Sequence, residues 1–194
     1  MNSTGTLYFF CGKMASGKST LALQIANDKD ALLLSEDQIL ARLYPDEIVD
    51  VQGYSDRARK VRAVFQPVVE AMLSRGLSVV MDFPANTTGQ RNWFRKILEA
   101  TGVDHELHVI VCDDSLCKKQ LAQRARDNPQ QRATDTIEMF EAISQYYQPV
   151  TSEERFVVVE HHRLELQAYS SHALTGIRRV PDGYQTGKTS STVN

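Results

Sequence analysis

Cysteine is scarce in this 194-residue chain, at Cys11, Cys112 and Cys117 alone. An odd, sparse set cannot staple a disulfide framework, and Cys112 and Cys117 have no second pair or neighbouring histidine to suggest zinc. Packing as small hydrophobes is the simpler reading for those in apolar runs. No sign of charge dominates: 22 Lys plus Arg face 24 Asp plus Glu, a formal charge of −2. That balance excludes a histone-like wrapper of nucleic acid and a disordered acidic tail, though a nucleic acid held in one local groove is still allowed. No apolar run approaches the roughly 18 residues of a membrane span. No basic stretch precedes an apolar one after the opening Met-Asn-Ser-Thr-Gly, so a soluble, cytoplasmic protein without membrane partners is expected. No internal repeat is visible. With 42% hydrophobic residues, the length suits one domain able to bury roughly 70% of its unfolded surface.

Short apolar runs alternate with stretches of helical period. Leu7 to Cys11, Ala31 to Leu34, Leu77 to Met81, Leu107 to Cys112 and Phe156 to Val159 are apolar on both faces, as strands of a covered parallel sheet must be. Between them lie helical patterns over Thr20 to Asn27, Asp37 to Tyr44, Arg57 to Arg75, Arg91 to Ala100, Leu116 to Arg126 and Thr136 to Tyr147. Strand, helix, strand in repetition predicts a three-layer α/β domain with a mostly parallel five-stranded sheet and right-handed crossovers. Residues 1–171 are expected to form that domain. Residues 172–194, where Gly, Ser and Thr accumulate, are expected to form a flexible tail.

The strongest motif is Gly12-Lys13-Met14-Ala15-Ser16-Gly17-Lys18-Ser19, followed by Thr20, which fits G-x-x-x-x-G-K-[ST]. Glycines let successive backbone N–H groups turn inward toward phosphates, and the helix beginning near Lys18 adds the positive end of its dipole. Lys18 would reach the β- and γ-phosphates, and Ser19 would ligate Mg²⁺. An apolar strand precedes the motif and a helix follows it, as it requires. By contrast, Gly183 to Thr189 has only three residues between its glycines and no such flanks, so it reads as tail.

Strand ends in open α/β sheets face the ligand crevice. The second strand ends in Ser35-Glu36-Asp37-Gln38, so Asp37 can deprotonate an acceptor hydroxyl; it can equally serve the helix dipole behind a Ser35–Gln38 capping box. Asp82 closes the apolar run Val79-Val80-Met81, where an ionised carboxylate needs a partner and Mg²⁺ would supply one. Asn86 lies in the following loop. Arg91 beyond it suits either the crevice or a solvated helix face. Arg124, Arg126 and Arg132 flank a polar, proline-containing break within about 116–136, which reads as a lid that closes a guanidinium over the transferring phosphoryl group. The cluster Arg57, Arg59, Lys60 and Arg62 reads as a solvated face or a receiver of an anionic substrate. His161 and His162 receive no role, and Trp93, Tyr146 and Tyr147 are expected in packing.

The order of these parts resembles the P-loop kinases grouped with zeta toxins, chloramphenicol phosphotransferase and the 5′-kinase domain of phage polynucleotide kinase, over about residues 5–162. The resemblance implies Asp37 as general base, Lys18 and Ser19 handling phosphate and Mg²⁺, Asp82 as the active-site carboxylate and Arg126 as the lid arginine. In the polynucleotide kinase an arginine three residues after the base contacts the acceptor phosphate; here that position is Leu40, with Arg42 two residues later. The expectation is an ATP-dependent kinase acting on a small molecule or a nucleic acid end. The acceptor's binding residues would include Asp37, Arg42, Asp82, Asn86, Arg91, Arg124 and Arg132. The alternative is a nucleotide-dependent ATPase or switch acting on a protein. No Asn-Lys-x-Asp occurs, which disfavours GTP.

Overall fold

The computed structural model describes residues 5–127 and 135–163 and the backbone of 178–179. Strand β1 (Thr6–Cys11) leads to helix α1 (Lys18–Asp28), then β2 (Leu32–Ser35), α2 (Glu36–Leu43), α3 (Val51–Leu73), β3 (Val79–Pro84) and α4 (Thr88–Thr101). The chain continues through β4 (Asp104–Cys112), α5 (Asp114–Asp127), α6 (Ile137–Ser144), a 3₁₀ turn (Ser152–Glu154) and β5 (Val158–Arg163). Strands stand in the order β2-β3-β1-β4-β5-β6. The first five pair in parallel, and β6 (Arg178–Arg179) adds a short antiparallel edge on β5. Those two residues fall within the stretch expected to be loose tail. Residues 128–134, and the glycine pair at 183 and 187, lie outside the described residues.

Alternation along β1 builds the layers. Leu7, Phe9 and Cys11 point into a core with Val61, Val69 and Leu73 of α3 and Phe94, Ile97 and Leu98 of α4. Tyr8 and Phe10 point the other way, onto Ala22, Ile25 and Ala26 of α1. A strand buried on both faces reads as a continuous apolar run for this reason. Phe9 stacks on Phe94 at 4.3 Å between ring centroids, a contact that aromatic quadrupoles favour in offset geometry.

Element ends depart from the apolar runs where pairing or capping decides them. Strand β4 starts at Asp104 because Thr6 pairs with Asp104 and draws three polar residues into the ladder. Strand β5 begins only at Val158, since Phe156 turns inward to meet Phe9 edge-on at 5.5 Å. Helix α3 begins at Val51, where the Asp50 carboxylate accepts from Gly53 N–H at 2.6 Å.

Candidate active site

The phosphate loop lies between β1 and α1 at the carboxyl end of the central strand. Gly17 caps α1 at φ 99°, a left-handed conformation that costs a side-chain-bearing residue roughly 1–2 kcal/mol. A Cβ at Gly17 would also strike the Arg163 guanidinium. Arg163, at the end of β5, donates to the Ser16 carbonyl at 3.0 Å. Asn86 Oδ1 accepts from the Gly12 N–H at 2.8 Å. The loop is therefore fastened by Asn86, which follows β3 on one side of β1, and by Arg163 of β5, two strands away on the other. Lys13 forms an ion pair with Asp114, and Met14 and Ala15 pack with Cys117, Leu121 and Phe140. Ser19 and Thr20 are exposed.

Lys18 Nζ donates to the Gly12 and Lys13 carbonyls, each at 2.7 Å, so the ammonium sits inside the curve of the loop. Burial pushes its pKa down, while the charges of Asp82 and then Asp37 pull it back up. The Asp82 carboxyl is raised by burial and by Asp37, and is held down by hydrogen bonding from Ser19, the Lys18 charge and Ser35. Register explains this grouping: Ser35 of β2 stands opposite Asp82 of β3, and adjacent strands lie about 4.8 Å apart. Helix α2 then begins at once, its Ser35 cap accepting from Gln38 N–H at 3.4 Å, which carries Asp37 in the first turn. Lys18, Ser19, Asp37 and Asp82 thus converge at the carboxyl ends of β1, β2 and β3, the side of an open α/β sheet where ligands bind.

Several expected contributors lie elsewhere. Arg91 is turned into the protein, 1% exposed. It forms two bonds to Glu154, at 2.6 and 2.9 Å, and donates to the carbonyls of Ala85, Gln148 and Pro149. A guanidinium so saturated braces the 148–154 segment and does not reach the crevice. The Asn86 side chain likewise serves the loop, and its own N–H donates to Gln90 Oε1 at 2.8 Å. Arg42 is exposed in the last turn of α2. Arg124 and Arg126 are exposed in the last turn of α5, and Arg126 donates to Gln123 at 2.8 Å. Arg132 lies outside the described residues.

Other features of the site have no local signature in the sequence. Glu36, wholly buried, accepts from Arg62 at 2.8 and 3.1 Å and from Tyr54 at 2.7 Å, joining α2 to α3 immediately beside Asp37. The adjacent Arg and Tyr signals are 26 and 18 residues away in sequence, and no local pattern announces them. Ser16 Oγ is buried without a partner among the described residues. His161, given no role, meets His108 at 2.9 Å.

This fold and loop define a P-loop nucleotide-binding domain of the three-layer α/β kind. The chain belongs to the AAA domain family, whose model matches residues 7–150. No curated protein sequence matches it. Among solved structures, it resembles a putative kinase from Chloroflexus aurantiacus, at 14% identity and TM-score 0.62, covering 82% of this chain and 86% of that one. It also resembles the APS kinase of Mycobacterium tuberculosis solved with AMPPNP and APS, at 20% identity and TM-score 0.55, over 82% and 89% of the two chains. A gluconokinase from Sinorhizobium meliloti follows at 15% and 0.52, over 82% and 84%. Among the described residues, no helix is long and apolar enough to cross a membrane.

Proposed function

We propose that this chain is an ATP-dependent phosphotransferase of the zeta toxin, chloramphenicol phosphotransferase and polynucleotide kinase-like group. It moves the γ-phosphate of Mg·ATP to a hydroxyl of a small molecule or a nucleic acid end. The observation that carries the reading is the convergence of Lys18, Ser19, Asp37 and Asp82 at one end of the sheet. Neighbours of the same fold that are named as kinases, one of them holding AMPPNP, support it.

The residues present fit a triphosphate. A desolvated ammonium inside the curve of the phosphate loop, with the Ser16 hydroxyl of the same loop buried and without a partner among the described residues, is chemistry that an anion completes. Ser19 and Asp82 would hold Mg²⁺, which supplies charge neutralisation on the phosphates when bound. Lys18 holds the β- and γ-phosphates. Asp37 accepts the proton of the acceptor hydroxyl as its oxygen bonds to the γ-phosphorus and the bond to the ADP oxygen breaks. Arg126 and Arg124, exposed at the end of α5, would supply guanidinium groups to the transferring phosphoryl group and help to exclude water that would compete as acceptor. Asp37→Asn tests this directly. Phosphoryl transfer is expected to fall by ~10²–10⁴-fold while Mg·ATP affinity persists, as read by γ-phosphate transfer and titration. Loss of ATP affinity instead would make Asp37 a structural residue.

A further inference from the structure

Two cysteines that the phosphotransferase chemistry does not use meet beside the phosphate loop. Strand β4 ends at Cys112 and helix α5 begins at Asp114. In the first turn of α5 the Cys117 N–H donates to the Asp113 carbonyl at 3.0 Å. That turn brings the Cys117 Sγ to 3.4 Å from the Cys112 Sγ, to which it donates its S–H. Cys112 is half-buried, whereas Cys117 is wholly buried. The third cysteine, Cys11, is engaged elsewhere, with the Tyr147 hydroxyl at 3.7 Å.

Packing and charge tie the pair to the loop. Cys117 shares a small core with Ala15 of the loop and with Leu121 and Phe140, and Met14 packs against it. Asp114, between the two cysteines in sequence, forms an ion pair with Lys13. The Lys18 charge also bears on Cys117. Ala15 itself holds φ 56°, a left-handed conformation that a side chain disfavours. Such a residue keeps its backbone only while its surroundings over-determine it.

We propose that Cys112 and Cys117 form a modification site, closed to an intramolecular disulfide by a hydroperoxide, and that closure loosens the phosphate loop. The oxidant meets Cys112, the sulfur nearer solvent. Burial and the bond to Cys112 push the Cys117 thiol up to about 12, which leaves it the resolving partner. First the Cys112 sulfur attacks the peroxide: an S–O bond forms, the O–O bond breaks, and water or an alcohol leaves with the thiol proton. The Cys117 sulfur then displaces the hydroxyl of the Cys112 sulfenic acid: an S–S bond forms, and the hydroxyl leaves with the Cys117 proton as water. The two thiols lose two electrons in all, and the peroxide gains them. Sulfurs in a disulfide stand about 2.05 Å apart, so the pair must close by roughly 1.3 Å from its present 3.4 Å. That movement draws the Cys117 Sγ away from its packing with Ala15 and frees the strained backbone there to relax. The disulfide itself stands apart from the phosphotransferase reading; only its effect on Mg·ATP rests on that reading.

The test treats the reduced full chain with a slight molar excess of hydrogen peroxide. Free thiols are expected to fall from three to one, with two hydrogens lost from the peptide that spans both Cys112 and Cys117. Amide exchange over residues 13–17 should quicken, and Mg·ATP affinity should fall by tenfold or more. Dithiothreitol should reverse both effects, and Cys112→Ser should be indifferent to peroxide. Oxidation of Cys112 to a sulfinic acid, or a bond to Cys11, overturns the inference. So does a Cys112–Cys117 bond that leaves loop exchange unchanged or slower, or one that leaves Mg·ATP affinity unchanged or higher. Should the reduced chain bind no Mg·ATP, the phosphotransferase reading falls, and thiol mapping with loop exchange alone decides the inference.

Discussion

Lys18 is surrounded by two kinds of group, carbonyls of its own loop and the carboxylates Asp82 and Asp37. Its charge is therefore kept in place by the site itself. Lys18→Ala should abolish phosphoryl transfer while the domain stays folded, as measured by γ-phosphate transfer alongside circular dichroism. An unchanged rate would contradict the assignment. Gly17 is constrained twice, by its φ of 99° and by Arg163 beside it. Gly17→Ala should weaken nucleotide binding by tenfold or more in a calorimetric titration, because strain and the displaced guanidinium both distort the loop. These residues are legible in the sequence because the motif is local: eight consecutive positions carry both the backbone geometry and the charge. Arg91 was not, because its carboxylate partner is 63 residues away. Nothing near an arginine on an amphipathic helix tells whether it faces solvent, a ligand or a distant glutamate.

At the scale of elements, the five parallel strands were readable because each carries a short apolar run, buried almost throughout in β1 and β3 and only in part in β2 and β5, and so were the helices between them, whose apolar periodicity holds whatever they pack against. Their ends were less so. Strand β4 gained Asp104 to Glu106 from pairing with β1, and pairing leaves no mark in the polar residues it recruits. The union of α2 and α3 depends on a buried ion pair, with side-chain exposures of 15% for Arg62 and 0% for Glu36. Burial pushes the Glu36 carboxyl up, and Arg62 and Tyr54 hold it down. Arg62→Ala would leave that buried carboxylate without its cation, with the Tyr54 hydroxyl still donating to it, at a cost of ~3–5 kcal/mol. In a domain of this size the melting temperature should fall by roughly 6–20 °C. A change of a degree or less in thermal unfolding would show that water replaces the arginine.

Over the whole molecule, the side of the sheet away from α3 and α4 carries a buried histidine, His108, between Tyr8, Phe10 and His161. Burial, with the charges of His161 and Lys29, lowers its pKa to about 3, and burial lowers His105 and His161 as well. The unfolded chain binds protons at these sites below about pH 6.5 while the folded chain does not, so stability is lost as pH falls from about 6.5 toward 3. His108 alone contributes a slope of up to about 1.4 kcal/mol per pH unit. Below about pH 4.5 the raised carboxyls of Glu36 and Asp82 act in the opposite sense, since they take up protons first in the folded state. Melting temperature measured between pH 7 and 5 should decline, and His108→Asn should flatten the decline; a flat profile in the unmodified chain would refute the burial of neutral histidine. The central claim is that the loop between β1 and α1 holds the triphosphate of Mg·ATP through Lys18. Calorimetric titration of Mg·ATP into the unmodified chain and into Lys18→Ala tests it most directly. One saturable site that disappears in the variant is the expected result; no saturable binding, or equal binding in both proteins, would contradict it.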